Sequence, residues 1–278
     1  DGLVVHDPRY WLFLDWTDLF KEGAPSVYNL WLVLALDKLA DLYSATRNKK
    51  QAERCTRWAA RLRQRLRKLI DRRGLLRDGL DAKGRIVAST SPHAQTMALM
   101  TDLDPASSEK MEDFLAKYMR DKSGHKAQPS AYWITYLYTA MAERGHGAKV
   151  VDHIRPRWEP MVEQGSTFEM FADHVEYPMS HSHAWSAHPL FHFMQIIGGV
   201  RQTAPAWKKV AFNPVFHGDH GGATIPSPQG AITSAWQRDG DQIAVSLDLP
   251  KGVTAEVDLP GIQIKRATGR SEWIVAAE

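Results

Sequence analysis

The amino-acid sequence predicts an all-helical domain over residues 1–199 followed by an antiparallel β-sandwich over residues 200–278. Two observations carry this. Up to Ile197, apolar residues recur at spacings of three and four, the period of a helix with a buried face. Beyond Gly199 they recur at every second position, the period of a strand with one face on a core. Asp239-Gly240 supplies the clearest hairpin signal in the chain.

The first helix is expected from Ser26 to about Arg47, entered through Gly23 and Pro25, with Leu32, Leu36, Leu39 and Tyr43 on one stripe. Its other faces are also apolar, which suits a helix packed on more than one side. From Lys50 to Asp71, Cys55, Trp58, Leu62, Leu66 and Leu69 form a core stripe opposite Arg54, Arg57, Arg61, Arg65 and Lys68. No aromatic or hydrogen-bonding groups interleave with those arginines, so the basic face reads as solvated and not as a nucleic-acid surface. Gly74, Gly79 and Gly84 then punctuate short extended pieces that read as a hairpin excursion. Further helices are expected at about Pro92–Thr101, Ser107–Arg120, Pro129–Arg144, Ala148–Glu163 and His183–Ile197, with Pro156 and Pro160 bending or breaking the fourth of these. Paired helices joined by loops suggest a toroid or a repeat array, although no fixed-period repeat is present. In the last segment Ile232, Ser234 and Trp236, then Ile243, Val245, Leu247 and Leu249, then Val253, Ala255, Val257 and Leu259 alternate with period two, and Lys251-Gly252 supplies a second turn.

Composition bounds the function. With 278 residues, 44% of them hydrophobic, the chain can bury a large core. Lys and Arg number 35 against 32 Asp and Glu, too small an excess to imply a polyanion partner. The single Cys55 excludes an intrachain disulfide framework and a cysteine-based zinc site. No apolar run is long enough to span a bilayer, and the opening DGLVVHDPRYW reads as a cut inside a longer protein. The sequence carries no signal for a cofactor or for a compartment. Ten tryptophans and eight tyrosines suit either the walls of a sugar-binding site or a large helical core.

Chemistry concentrates in GSTFEMFADHVEYPMSHSHAWSAHP, where Glu169 and Glu176 lie among His174, His181, His183 and His188. His181 and His183 could share a metal ion if that piece is extended, but no HExxH-type pattern is present. Alternatively Glu169, in a loop after one helix, and His183, opening the next behind Ser180 and Ser182, could face one cavity and serve acid/base chemistry on a sugar. The plainer reading makes Glu169 a loop residue and His183 a hydrogen-bonded core histidine. Spacing alone leaves these open.

The order of several stretches is informative. YWLFLDW at Tyr10–Trp16, APSVYNLWLVLAL, SPHAQTMAL, SAYWITYLYTAMAERG, RPRWEPMVEQGSTFEMF, SHSHAWSAHPL, and GGVRQTAPAWKKV with IPSPQGAITSAW together resemble the C-terminal half of bacterial α-L-rhamnosidases, an inverting family of glycoside hydrolases (family 78). The resemblance implies an (α/α)6 toroid, here partial, followed by a β-sandwich. It implies Glu169 as the general base that activates the attacking water, His183 as a rhamnose contact, and Asp15 and Trp16 as an Asp-Trp motif whose tryptophan walls the sugar pocket. Phe168 stands where the family usually carries Trp. The family's general-acid motif, Asp-x-x-Arg-x-Glu-x-x-Gly-Trp-x-Gly-Asp, has no counterpart in the chain. Inversion needs two carboxyl groups roughly 6.5 to 9.5 Å apart, and Asp18 and Glu22 have no geometric argument as substitutes. About seven helices are readable where the ring has six helix pairs, so a missing N-terminal portion of the same protein is expected as a partner.

The resulting expectation is a glycosidase acting on a rhamnose-containing carbohydrate, without cofactor, metal, nucleic acid or membrane. The alternatives are a non-catalytic carbohydrate-binding or structural remnant and a histidine-ligated metallohydrolase.

Overall fold

A computed structural model of the chain describes residues 2–171 and 180–277. It divides into two compact units, Asp1–Met141 with Phe168–Ser182, and Ala142–Thr167 with His183–Glu278.

The first unit is built on helix pairs. A short strand β1 (Ala24–Pro25) leads into α1 (Ser26–Ala45), which packs along α2 (Lys49–Arg67). The entry is held by the buried Asn29, whose amide donates to the carbonyls of Pro25 (2.9 Å) and Val4 (3.0 Å) and accepts from the Val4 N–H (2.8 Å). Asn48 caps α2 by accepting from the Gln51 N–H. The core stripe of α2 is Ala52, Cys55, Ala59, Leu62 and Leu66. Trp58, expected on that stripe, is 45% exposed. The position four residues after Cys55 is Ala59, and the tryptophan falls one place off the buried row. Arg54, Arg57, Arg61, Arg65 and Lys68 are exposed. Arg63, by contrast, reaches across to α1 and pairs with Asp37, while its Nε donates to the Thr101 carbonyl.

The excursion after α2 forms antiparallel contacts at Ile70 with Leu76 and Leu80 with Ile86, and its strand β2 (Gly79–Leu80) pairs with β1. Helix α3 (Pro92–Met100) is buried at every position from Pro92 to Leu99. Ser91 caps it, accepting from the Ala94 N–H at 3.2 Å, and Pro92 occupies the first turn, where a missing N–H costs nothing. The buried Gln95 is satisfied by the backbone of Leu76, whose N–H it accepts and to whose carbonyl it donates, both at 2.9 Å. Against α3 packs α4 (Ser108–Arg120), amphipathic, with Met111, Leu115, Tyr118 and Met119 inside. Helix α5 (Ile134–Glu143) starts later than the sequence suggests, after turns at residues 131–133.

In the second unit, α6 (Gly147–Gln164) runs unbroken through Pro156 and Pro160, so of the two expected effects, bending or breaking, the break does not occur. Both prolines are exposed and lie four apart on one face, so the carbonyls they leave unpaired point toward water. Gly165, at φ 75°, ends the helix, with the Ser166 N–H returning to the Met161 carbonyl. The expected helix from His183 is corrected to a single tight turn at Ala184–Ser186 followed by α7 (Pro189–Ile196).

The sandwich comprises β3 (Val200–Gln202), β4 (Lys209–Phe212), β5 (His220–Ser227), β6 (Gly230–Asp239), β7 (Gln242–Asp248), β8 (Thr254–Leu259), β9 (Ile262–Ala267) and β10 (Arg270–Ala276). One sheet has the order β10-β7-β6-β5 and is antiparallel, while the other is β3-β4-β8-β9. The expectation of a wholly antiparallel module is corrected by β4 and β8, which run parallel from Lys209 opposite Thr254 to Phe212 opposite Val257. The alternating residues named from sequence, from Ile232 to Leu259, all point into the core. At the β6–β7 hairpin Asp239 pairs with Gln242, so the loop is Gly240-Asp241 with glycine at φ 58° in the first position.

Trp236 ties α7 to this sheet. Its indole N–H donates to the Ile197 carbonyl at 2.9 Å, and Ser234 donates to Gly198 at 2.7 Å. The tryptophan ring lies over Gly221, its cross-strand partner, where a Cβ would stand 2.7 Å from ring carbons and 2.4 Å from Ile197. Gly221→Ala is therefore expected to cost about 1–3 kcal/mol of stability, read as a lowered melting temperature. Acidification should act at His192. Burial, and then the neighbouring His188, pushes its imidazole down to about 3. Between that value and the ordinary 6.5 the unfolded chain binds a proton that the folded chain does not. This contribution is thus absent above pH 6.5, and stability falls as pH drops through the window by about 1.4 kcal/mol per pH unit. Urea unfolding at pH 7.5 and 5.0 should show wild type losing about 2 kcal/mol more than His192→Leu.

Candidate functional site

The Asp-Trp pair lies in the first unit, and Asp15 is buried there with its carboxylate fully engaged. One oxygen accepts from the Trp16 N–H at 2.7 Å, and the other accepts from the Ser130 N–H at 2.9 Å and meets His93 Nε2 at 2.7 Å. Carboxylate oxygens accept, so Nε2 carries the hydrogen in this contact. Three segments are joined at this point: the chain before α1, the first turn of α3 and the approach to α5. The His93 ring lies 4.2 Å from that of Trp133.

Among the described residues, several buried polar atoms around this junction have no protein partner: the indole nitrogens of Trp16 and Trp133, Nδ1 of His93 and the hydroxyl of Thr96. Buried polar groups are seldom left unpaired, and such a concentration is what a polar ligand or ordered water would use. The Trp16 ring is half-buried and meets Phe13 edge-on at 4.9 Å, and Phe13 meets Trp11 at 5.3 Å. This run of rings leads from the interior to Trp11, which is 81% exposed.

Beside the junction is an open cleft of about 870 Å3. Its walls are residues 18–22, residues 73–78 with 88–91, and residues 124–127. These adjoin the same three segments that Asp15 holds together.

Glu169 also belongs to the first unit. Its N–H donates to the Ser180 carbonyl at 2.8 Å, and it sits half-buried between the buried Phe168 and Met170. Among the described residues its carboxylate has no hydrogen-bond or ion-pair partner, which leaves it available to a water or a ligand. Phe168 stacks on His181 at 4.8 Å.

His183 belongs to the second unit. A reciprocal pair of bonds with Thr167 holds its backbone: the His183 N–H donates to the Thr167 carbonyl and the Thr167 hydroxyl donates to the His183 carbonyl, both at 2.7 Å. Its ring is edge-on to Trp185 at 4.8 Å, and among the described residues Nε2 is buried without a protein partner. His174 and Glu176 lie outside the described residues. Among the described residues, no group of three or more His, Cys, Asp and Glu side chains gathers as a metal site requires.

His93 and Ser130 escaped the sequence reading, although a signal existed. A histidine inside SPHAQTMAL, a stretch with no charged residue, points to burial, and a buried imidazole needs a hydrogen-bond partner.

Residues 199–273 match the family of bacterial alpha-L-rhamnosidase C-terminal domains. Among solved structures, the chain is similar to the GH78 family rhamnosidase of Bacillus sp. GL1, with a TM-score of 0.81 and 24% identity over 93% of this chain and 28% of that one. The alpha-L-rhamnosidase of Aspergillus terreus gives 0.76 and 18% over 99% of this chain and 34% of that one. The Streptomyces avermitilis alpha-L-rhamnosidase, complexed with L-rhamnose, gives 0.69 and 19% over 95% and 27%. No curated protein sequence matches the chain. Residues 199–273 are thus similar to a rhamnosidase C-terminal domain, and the chain spans 27–34% of the length of these structures, whose fold it shares there.

The Asp15 junction yields a direct expectation. Asp15→Ala removes the acceptor of three donors, two of them in buried bonds, and should destabilise the first unit by about 3 kcal/mol or more, as loss of one partner of a buried pair does. Asp15→Asn, which keeps the shape and one acceptor, should cost less, and chemical denaturation of the two variants checks the order.

Proposed function

We propose that the protein containing this chain is a glycoside hydrolase that releases terminal α-L-rhamnose from glycosides or polysaccharides by inverting hydrolysis, with Glu169 as general base. The observation that carries this is the match of residues 199–273 to the rhamnosidase C-terminal domain, directly following helices whose fold is that of rhamnosidase structures. The helical part is read as a portion of an (α/α)6 toroid. In support, α3 is buried all round as an inner helix would be, while α2 and α4 are amphipathic as outer helices are.

Each site residue then has a task. Glu169, half-buried and without a partner among the described residues, accepts a proton from the water that attacks the anomeric carbon on the face opposite the leaving group. A second, protonated carboxyl group must deliver a proton to the departing oxygen, and we assign it to a part of the protein beyond this chain. Trp16 walls the sugar, and its unpaired indole N–H is a donor for a ring hydroxyl. Asp15 acts through Trp16, because its own oxygens are occupied. His183 offers Nε2 to a hydroxyl of rhamnose.

The experiment is steady-state hydrolysis of an aryl α-L-rhamnoside by the full-length protein. Glu169→Gln should lower kcat by about 10²–10⁴-fold while the melting temperature holds. Near-normal turnover by that variant would sink the assignment of the base. Saturable rhamnose binding without hydrolysis by wild type would point to a non-catalytic sugar-binding protein.

A further inference from the structure

We propose that the outer face of the β3-β4-β8-β9 sheet binds an extended carboxylated polysaccharide and so anchors the protein on the acidic portion of a glycan. The choice of a glycan among polyanions rests on the rhamnosidase reading; the anion-binding face itself is argued from its own residues.

Two grooves of about 290 and 430 Å3 lie on this face and share Glu256 and Lys265 as walls. Five cations line them, Arg201, Lys208, Lys209, Lys265 and Arg266, against two carboxylates, Glu256 and Asp258. That excess of three is as large as the whole chain carries, 35 against 32. A charge too small to direct binding when spread over a surface is here gathered on one face. The carboxylates are moreover engaged. Glu256 accepts from Lys265 at 3.3 Å, and Asp258 accepts from Gln263 at 3.5 Å. Among the described residues, the side chains of Arg201, Lys208, Lys209 and Arg266 have no ion pair or hydrogen bond.

The backbone is shaped to collect these charges. Between Ala255 and Val257 the β8–β9 register slips, so that Glu256 opposes two residues of β9, Lys265 and Arg266. Strict alternation would send one of two consecutive side chains toward the core; at this bulge both line the groove. Lys208 and Lys209 are likewise consecutive and line one groove. They follow Ala206 and Trp207, whose φ values of 56° and 59° lie in the left-handed region that residues with a Cβ seldom adopt. Across the sheet Ala211 pairs with Arg201 on one side and Glu256 on the other, and its single methyl group leaves the face hollow between longer side chains.

Span and lining select the ligand. Arg201 stands on β3 and Lys265 and Arg266 on β9, the outer strands of the sheet, three strand spacings or about 14 Å apart. Such a span suits a chain bearing several anionic groups and not one small anion. Among the described residues, the one aromatic in the lining is Phe212, which is buried in the sandwich core, so no ring is offered to stack on nucleic-acid bases. Among the same residues the lining holds no exposed large apolar side chain to enter a lipid surface. Carboxylates along a sugar chain match what the face does offer: guanidinium forks for bidentate contact, lysine point charges, and Thr254 and Asn213 for hydroxyls.

The test is affinity electrophoresis of the full-length protein that contains this chain, through gels holding polygalacturonate, fully methyl-esterified pectin or no polymer. Wild type should be retarded by polygalacturonate alone, and less so as ionic strength rises from about 0.05 to 0.3 M. Lys209→Ala/Arg266→Ala should weaken the affinity at least about tenfold, as loss of charge-assisted contacts does. Its melting temperature and its turnover of an aryl α-L-rhamnoside should hold, because both side chains are exposed. Arg54→Ala/Arg61→Ala removes the same charge from the basic face of α2 and should bind as wild type does. Absence of retardation in wild type, equal retardation by the methyl ester, or equal loss in the α2 variant overturns the assignment. So does stronger competition by a single-stranded DNA oligonucleotide or by phosphatidylserine vesicles than by free polygalacturonate. Retardation needs no turnover, which separates the two readings. A protein held through Lys209 and Arg266 that hydrolyses no rhamnoside keeps this site and loses the rhamnosidase assignment, whereas an active rhamnosidase that is not retarded loses the site alone.

Discussion

The carboxylate of Asp15 imposes the constraint on which the first unit's site is organised. It is buried, so it must be satisfied by protein donors, and the donors come from Trp16, His93 and Ser130, residues up to 115 positions apart in sequence. Three loops that would otherwise move independently are thereby fixed relative to one another at the point where each enters or approaches a helix. Both the unpaired indole of Trp16 and the polar cleft inherit their geometry from this junction. Its hydrogen bonds add modest net stability, because the same groups would be solvated in the unfolded chain; the larger effect is the penalty for any arrangement that leaves them unmatched.

The sandwich solves a related problem with different means. Its core is apolar and held by alternation, but the end of α7 must be brought onto the sheet, and that is done by Trp236 and Ser234 reaching the carbonyls at Ile197 and Gly198. The approach is possible only because Gly221 leaves room beneath the indole. In each unit a buried side chain with a polar handle sets the position of a connecting segment. This division of labour, apolar stripes for stability and a few buried hydrogen bonds for position, is what a sugar-processing site needs from its scaffold.

Much of the architecture was legible in the sequence because periodicity reports burial directly. The strands from Ile232 to Leu259 and the helices α1 to α4 follow their apolar repeats to within a few residues. The misreadings have specific causes. Pro156 and Pro160 suggest a bend or a break because the rule considers the lost hydrogen bonds and not the face on which they are lost, and no break occurs. Trp58 was drawn into a core stripe by its hydrophobicity although its position lies off the row. The parallel pairing of β4 with β8 depends on contacts far apart in sequence, which no local pattern encodes. The site was legible only in part for the same reason. Glu169, Trp16 and His183 stand in recognisable stretches, whereas the partnership of Asp15 with His93 and Ser130 spans 78 and 115 residues.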